Sequence, residues 1–318
     1  MKRDKKLVFS ILSILCLSAG IIWQSVMTQI EKSKYNAVGA YVDVETYHAH
    51  YYSKGSGETA FVFITGSGTP CAYTDFYALQ NMLSSKGQTI SFDHAGSGWS
   101  SNTEAVRSID QMTNELSLLI DTVVPDKPII LICHSLGSLE AIRYAQTNPK
   151  KVRGIIFLDC GSPEFYSTDS ELQAAIINRG TAFLRIIGLN RLMGELGCFL
   201  PVYGENSRNR NLPQVAKDID KAMFYRFAGN AASMHTIHLM NENAAAVLNG
   251  PSLGEIPILV LSSDNGTAWN KVQTQLAAWS ENSEQRTIET SDHYLYWSNY
   301  HQVSDCVESF IEKVISTR

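Results

Sequence analysis

Short runs of apolar, β-branched and aromatic residues recur along the chain and predict buried strands. They lie at 40–44, 48–52, 60–64, 89–92, 129–132, 152–158, 258–261 and 286–289. Between most of these runs the apolar positions recur every three or four residues, which is the spacing of helices. Strands that alternate with helices predict a mostly parallel sheet with right-handed crossovers, so we expect an α/β fold.

The stretch from residue 163 to about 250 has no strand pattern. Its apolar positions have helical spacing at 172–187, 189–196, 215–227 and 232–248. A helical insertion between late strands is typical of a lid that covers a site and excludes water from it. We therefore predict one domain over residues 40–318 that carries a helical lid at about 163–250.

The N-terminus differs from the rest of the chain. Four cations within residues 1–6 precede an uncharged run from Leu7 to Ile30, which is long enough to cross a bilayer. We predict a transmembrane signal-anchor at 7–26 and a polar stalk at 27–39. The cations place residues 1–6 in the cytoplasm, so the protein is expected to be a single-pass protein of the cell membrane with an extracytoplasmic body. Secretion after cleavage of the leader is the alternative.

Composition excludes several partners. The formal net charge of −5 and the lack of a basic run after the N-terminus argue against nucleic acid. The six cysteines show neither C-x-x-C nor zinc spacing, so we predict no metal and no disulfide framework. The Gly96-Ser97-Gly98 loop lacks the third glycine of a dinucleotide site, so no cofactor is expected.

Candidate chemistry begins where the strand 129–132 meets a helix that starts near Ser138. The corner Cys133-His134-Ser135-Leu136-Gly137 fits a nucleophile elbow, in which a strained turn lifts the Ser135 hydroxyl clear of the sheet. A helix-capping serine is the plain alternative. A second glycine-rich loop follows the strand 60–64, and by position the backbone N–H groups of Ser67 and Leu136 would form an oxyanion hole.

The segments CHSLG, TGSG, DHAGSGWSS and SDHYLYW together resemble the α/β-hydrolase superfamily from about Tyr41 to the C-terminus. The segments LDCGSPE (158–164) and AWNKVQTQLAAWSENS (268–283) resemble the corresponding segments of the α/β hydrolases that carry a helical cap. The resemblance implies an eight-stranded sheet and a Ser-acid-His triad, with His293 as the base. The chain departs from the family pattern at Cys133, where glycine is usual, and at Thr65, where histidine is usual.

The triad acid has two candidates. Asp264 follows the strand 258–261, which is the commonest position, but the spacing is short and the usual position falls closer to Gly266. Asp159 ends the strand 152–158 beside the elbow strand, and the hydrolases with an LDxxxPE-like segment keep an aspartate there. We favour Asp159 and keep Asp264 as the alternative acid.

These residues predict a membrane-anchored serine hydrolase that cleaves an ester, thioester or amide of a small apolar acyl substrate. A catalytically inactive binding or signalling protein on the same fold is the alternative function, because a fold does not fix a function. No predicted strand precedes residue 40. Removal of the leader up to about Ser33 is therefore expected to leave a soluble, active enzyme.

Overall fold

The computed structural model describes residues 2–197 and 210–316. Cys198 and the lid segment 198–209 lie outside the described residues. Eight strands form one sheet. They are β1 (Ala40–Asp43), β2 (His48–Lys54), β3 (Ala60–Ile64), β4 (Gln88–Phe92), β5 (Ile129–His134), β6 (Val152–Leu158), β7 (Ile258–Ser263) and β8 (Ser283–Ile288).

Helices connect the strands and cover both faces of the sheet. Outside the lid they are α1 (Lys2–Lys34), α2 (Ala72–Asp75), α3 (Tyr77–Leu83), α4 (Ile109–Val123), α5 (Gly137–Thr147), α12 (Gly266–Ala277), α13 (Leu295–Ser298) and α14 (Tyr300–Ser316). The lid contributes α6 (Pro163–Tyr166), α7 (Glu171–Ile186), α8 (Leu189–Glu195), α9 (Gln214–Phe227), α10 (Ala231–His238) and α11 (Met240–Leu248).

The strand order is β1-β2-β4-β3-β5-β6-β7-β8. Strands β1 and β2, and likewise β2 and β4, pair antiparallel, and every other neighbouring pair is parallel. The predicted eight-stranded, mostly parallel α/β sheet is therefore confirmed. All residues of β3, β5 and β7 are buried, as expected for parallel strands with helices on both faces.

Alternate residues of the central strands supply two separate hydrophobic cores. Leu131 and Phe157 point to the core that α4 and α5 cover, whereas Ile132 and Leu158 point to the core that α3 and α14 cover. Because parallel strands end at the same edge, this arrangement brings the carboxyl ends of β3, β5, β6 and β7 together. That edge carries the candidate site.

The N-terminal helix α1 continues to Lys34, through most of the segment predicted as a stalk. Its part from Lys5 to Lys34 is long and apolar enough to cross a membrane, and only 6% of its most apolar 18-residue window is buried. A membrane anchor and a signal sequence both have these properties. The C-terminal half of α1, from about Gly20 onward, contacts the lid.

Candidate active site

The elbow forms at the end of β5. Ser135 follows the strand with φ +52°, in the left-handed region, and α5 begins two residues later at Gly137. Two glycines allow this close approach of backbones. A Cβ on Gly66 would lie 2.9 Å from Ser135 Cβ, and a Cβ on Gly137 would lie 2.9 Å from the Thr65 carbonyl oxygen. A residue other than glycine at either position would push the TGSG loop away from Ser135.

Three predicted side chains meet at the carboxyl edge of the sheet. His293, in the loop between β8 and α13, places Nε2 3.0 Å from Ser135 Oγ. The other ring nitrogen, Nδ1, lies 2.7 Å from Asp159 Oδ2. Asp159 follows β6 with φ +48° and is fully buried. The serine, histidine and aspartate thus form one continuous chain of hydrogen bonds.

Two fixed donors hold the Asp159 carboxylate. Its Oδ1 accepts the Ser263 backbone N–H at 2.6 Å and the Trp269 indole N–H at 2.7 Å. Since Oδ1 is occupied in this way, Oδ2 is left to face His293. Sequence reasoning missed Trp269, although it lies in the AWNKVQ segment that carried part of the resemblance. Its hydrogen-bond partner Asp159 lies 110 residues earlier in the chain, so local sequence does not reveal the contact.

Asp264 lies one residue beyond β7, and its side chain is exposed. Among the hydrogen bonds of the described residues, His293 contacts Asp159 and not Asp264. Another histidine after this loop, His301, is exposed on α14. The structure therefore connects Asp159, and not Asp264, to the serine.

His134 precedes the serine but takes no part in that chain. Its Nε2 lies 3.0 Å from the His293 carbonyl oxygen, and its ring packs against the rings of Tyr294 and Tyr296. Burial, together with the nearby His293, lowers the pKa of His134 well below its usual value. A neutral His134 therefore positions the backbone that carries His293.

Tyr166 is a further neighbour of the serine that sequence reasoning did not identify. Its buried hydroxyl accepts the Gly161 N–H at 3.3 Å, and the nearby Ser135 side chain influences its pKa. Burial raises the pKa of Tyr166 far above its usual value, so the phenol stays protonated. Gly161 makes room for it, since a Cβ there would lie 2.6 Å from the Tyr166 ring.

The backbone N–H groups of Ser67 and Leu136 donate to none of the described residues. Both residues line a small cavity of about 60 Å³ that also reaches His94 and Glu140. Thr65, which replaces the usual histidine, has its Oγ1 3.1 Å from His94 Nδ1. His94 Nε2 in turn lies 2.7 Å from Glu140 Oε2 on α5, so these contacts link the TGSG loop to the helix after the elbow.

Cys133, which replaces the usual elbow glycine, is accommodated in the core. It is fully buried, and its Sγ lies 3.8 Å from the Sγ of Cys160. Since the extra side chain fills space beside β6, it does not displace the elbow. Among the described residues, no cluster of His, Cys, Asp or Glu is arranged to hold a metal ion.

A second cavity, which we call the lid cavity, lies between the lid and the edge of the sheet. Its volume is about 250 Å³, near the lower end of the range for cavities that hold one small ligand. Ala174 and Ile177 of α7, Phe224 of α9 and Ile237 of α10 give it apolar walls. Its inner end is lined by Ser67, which belongs to the TGSG loop, and by Tyr294, which follows His293.

The geometry can be compared with known proteins. The family model described as the alpha/beta hydrolase fold matches residues 59–300, which is most of the chain. The chain therefore belongs to the alpha/beta hydrolase family. Membership of this family supports a hydrolase activity.

Individual relatives agree with this family. The chain is 29% identical over 265 residues to the uncharacterized protein YbdG of Bacillus subtilis (strain 168), covering 81% of this chain and 79% of that protein. It is 28% identical over 152 residues to a monoglyceride lipase of Mus musculus, covering 45% of this chain and 48% of the lipase.

Solved structures share the fold. An esterase from Thermogutta terrifontis superposes with a TM-score of 0.65 at 21% identity, covering 87% of this chain and 99% of the esterase. The epoxide hydrolase CorEH gives a TM-score of 0.66 at 18% identity, with the same coverage of both chains. At such low identity these neighbours establish the fold alone.

Proposed function

We propose that this protein is a membrane-anchored serine hydrolase that cleaves an ester, thioester or amide of an apolar acyl substrate. The observation that carries the proposal is the hydrogen-bonded chain from Ser135 Oγ through His293 to Asp159. A serine hydroxyl is a weak nucleophile until a positioned base takes its proton, and His293 Nε2 is within reach of that proton.

The reaction would proceed through an acyl-enzyme. Ser135 Oγ attacks the substrate carbonyl carbon while its proton moves to His293 Nε2, and the backbone N–H groups of Ser67 and Leu136 stabilise the oxyanion. The tetrahedral intermediate expels the alcohol, thiol or amine, which takes the proton from His293. A water molecule, deprotonated by His293, then attacks the acyl-serine and releases the carboxylic acid, which restores Ser135.

Each partner of His293 has a separate role. Nδ1–H donates to the Asp159 carboxylate, which fixes the tautomer that leaves Nε2 free to accept a proton. The carboxylate also stabilises the imidazolium that forms during attack. Asp159 cannot rotate easily, because Ser263 N–H and the Trp269 indole hold its other oxygen.

Acyl chemistry suits a serine nucleophile better than epoxide opening, although epoxide hydrolases share the fold. Attack of Ser135 on an epoxide would create an ether bond to the enzyme, which water activated by a histidine does not cleave. Attack on a carbonyl creates an ester, which the same machinery hydrolyses.

The apolar helix α1 supports membrane attachment, with residues 1–6 in the cytoplasm and the hydrolase body outside it. In a cell fractionation, the full-length protein should sediment with membranes, and a protease added outside should degrade the body. A mature form found free in the medium, starting near Ile21 or later, would support the secreted alternative.

A fluorophosphonate probe tests the proposed nucleophile. We expect it to label the full-length protein but not Ser135→Ala, whereas Ser283→Ala, a matched change of an exposed serine at the start of β8, should be labelled like the parent. Esters of varied acyl length, assayed in parallel, would define the substrate range. Ligand binding that survives Ser135→Ala, in a parent that neither reacts nor turns over, would favour the inactive binding protein.

A further inference from the structure

The lid contacts α1 through two glycines. Gly188, between α7 and α8, has φ +75°, and a Cβ added to it would lie 2.7 Å from the Gly20 carbonyl oxygen. A Cβ added to Gly20 would in turn collide with the Ile187 carbonyl oxygen. Only residues without side chains permit the backbone of this turn to approach the backbone of α1 so closely.

A buried polar network fixes the same contact. Arg191 of α8 is 1% exposed, donates from Nε to Gln24 Oε1 at 2.8 Å, and binds both carboxylate oxygens of Glu31. Gln24 Nε2 donates to the Tyr225 carbonyl oxygen at 2.6 Å, and the Arg191 guanidinium lies 4.5 Å from the Tyr225 ring centroid. These bonds join helix α1 to both α8 and α9 of the lid.

The contact lies at a defined depth along α1. Gly20 belongs to the segment 7–26 that would span the bilayer, three residues before Trp23. At 1.5 Å per residue, Gly20 is about 4.5 Å deeper than Trp23, a residue type that prefers the membrane–water interface. An α1 that spans the bilayer therefore brings the turn between α7 and α8 to the outer membrane interface.

The surface next to this turn is apolar. On α7 an exposed stripe contains Leu172, Ile176, Phe183 and Ile186, which recur at helical spacing, and α8 adds Leu192 and Leu196. Outside α1 and the lid, the exposed large apolar side chains of the described residues are Tyr41 and Val106. Exposed apolar surface is thus concentrated on the part of the body that contacts α1.

One charged residue, Arg179, shares the α7 stripe and is exposed. A long basic side chain can extend to lipid phosphates while its methylene groups stay in the apolar layer, so it is compatible with an interfacial position. The opposite side of α7 presents Ala174, Ile177 and Thr181 to the lid cavity. Helix α7 therefore lies between its exposed apolar stripe and the lid cavity that leads to Ser67 and Tyr294.

From these contacts we propose that the apolar face of α7 and α8 lies in the outer membrane interface and admits a membrane-dissolved, single-chain acyl ester to Ser135. The substrate class rests on the proposed hydrolase activity, whereas the membrane contact rests on the proposed membrane attachment of α1 and on its contacts with the lid. A lid cavity of about 250 Å³ has room for part of one acyl chain but not for the two chains of a phospholipid. Continuity with α1 favours lipid as the occupant of this face over a second protein.

The membrane contact is tested by fluorescence in the full-length protein reconstituted into phosphatidylcholine vesicles. We compare Phe183→Trp and Val106→Trp, two exposed apolar positions, after subtracting the parent emission. Brominated acyl chains should quench the indole introduced by Phe183→Trp by on the order of half and leave the one introduced by Val106→Trp unaffected. Equal emission from the Phe183→Trp variant with and without bromine would overturn the proposal. The proposal would also be overturned if this variant formed a dimer, with twice the monomer mass in detergent, in which the introduced indole is shielded from bromine.

Substrate delivery is tested in the same vesicles with two esters of one fluorogenic alcohol. The triple variant Phe183→Ser/Ile186→Ser/Leu196→Ser should lower kcat/KM for membrane-dissolved 4-methylumbelliferyl oleate about tenfold, because lost apolar area weakens seating in the lipid. Turnover of the water-soluble butyrate ester should change less than about twofold, and Val106→Ser should affect neither ester. An equal loss for both esters, or no loss for the oleate, would refute substrate delivery.

The two levels of the proposal fail separately. Suppose that the Phe183→Trp variant is quenched but the protein neither reacts with fluorophosphonate nor hydrolyses any ester. The membrane contact would then be supported and the serine hydrolase activity rejected. Labelling of Ser135 without quenching in the Phe183→Trp variant would retain the hydrolase and reject the membrane-facing lid.

Discussion

Replacing Asp159 by asparagine should nearly abolish turnover, and the structure gives the reason. Oδ1 accepts two N–H donors, from Ser263 and Trp269, so the amide oxygen of an asparagine must take that position. Its NH₂ group then faces His293 Nδ1 and donates to it. The histidine is forced into the tautomer that carries its proton on Nε2, where it cannot accept the Ser135 proton.

The expected loss is about ten-thousand-fold in kcat, equivalent to about 5.5 kcal/mol of transition-state stabilisation. The fold should tolerate the change, since asparagine is nearly isosteric and accepts the φ of +48° found at this position. Ester hydrolysis and the rate of fluorophosphonate labelling would measure the effect, and circular dichroism would check the fold.

Asp264→Asn is the matched control. Its carboxylate is exposed next to β7, so kcat should stay within about tenfold of the parent. The reasoning is refuted if Asp159→Asn keeps near-parent activity while Asp264→Asn loses it, because the acid would then be Asp264 in a rearranged loop.

Three further predictions use other contacts. Trp269→Phe removes the indole donor from the Asp159 carboxylate and should lower kcat about 10- to 100-fold with little change in KM. Steady-state ester hydrolysis would measure this, and an unchanged kcat would contradict the role assigned to the indole. Because the pKa of His134 is lowered in the folded state, the unfolded chain binds the extra proton as the pH falls through about 6.5, so the free energy of unfolding should decrease below that pH. Thermal unfolding of His134→Gln should show a weaker decrease than the parent, and parallel profiles would exclude this histidine as the cause. Glu31→Ala leaves Arg191 buried without its carboxylate and should destabilise the full-length protein by about 3 kcal/mol, whereas Glu45→Ala, which changes an exposed carboxylate, should cost less than about 0.5 kcal/mol.

The same Arg191 contact changes the expectation for a truncated protein. The pattern of strands indicated that residues up to Ser33 could be removed without loss, because no strand precedes residue 40. The structure instead places Gln24 and Glu31 against Arg191 of the lid. We now expect such a truncation to loosen the lid. Sequence periodicity does not report this contact, since its partners are 160 or more residues apart.

Local sequence was sufficient for the elements and for part of the site. Apolar runs predicted each strand to within a few residues, because strand burial on both faces leaves a continuous hydrophobic signature. Ser108 stands directly before α4, where serine is a preferred cap, and its hydroxyl accepts the Gln111 N–H. Ser135 was identifiable because the elbow is a local strand-turn-helix motif whose residues are neighbours in the chain.

Only the tertiary structure could decide which carboxylate meets His293 and what holds it there. Asp159 and Asp264 both follow strands that end at the same sheet edge, so their sequence positions leave either one possible. The choice depends on loop paths that turn Asp159 inward beneath Ser263 and Trp269 and leave Asp264 exposed. Sequence determines which residues can ionise or donate, whereas packing of distant segments determines which of them meet, because hydrogen bonds act over only about 3 Å.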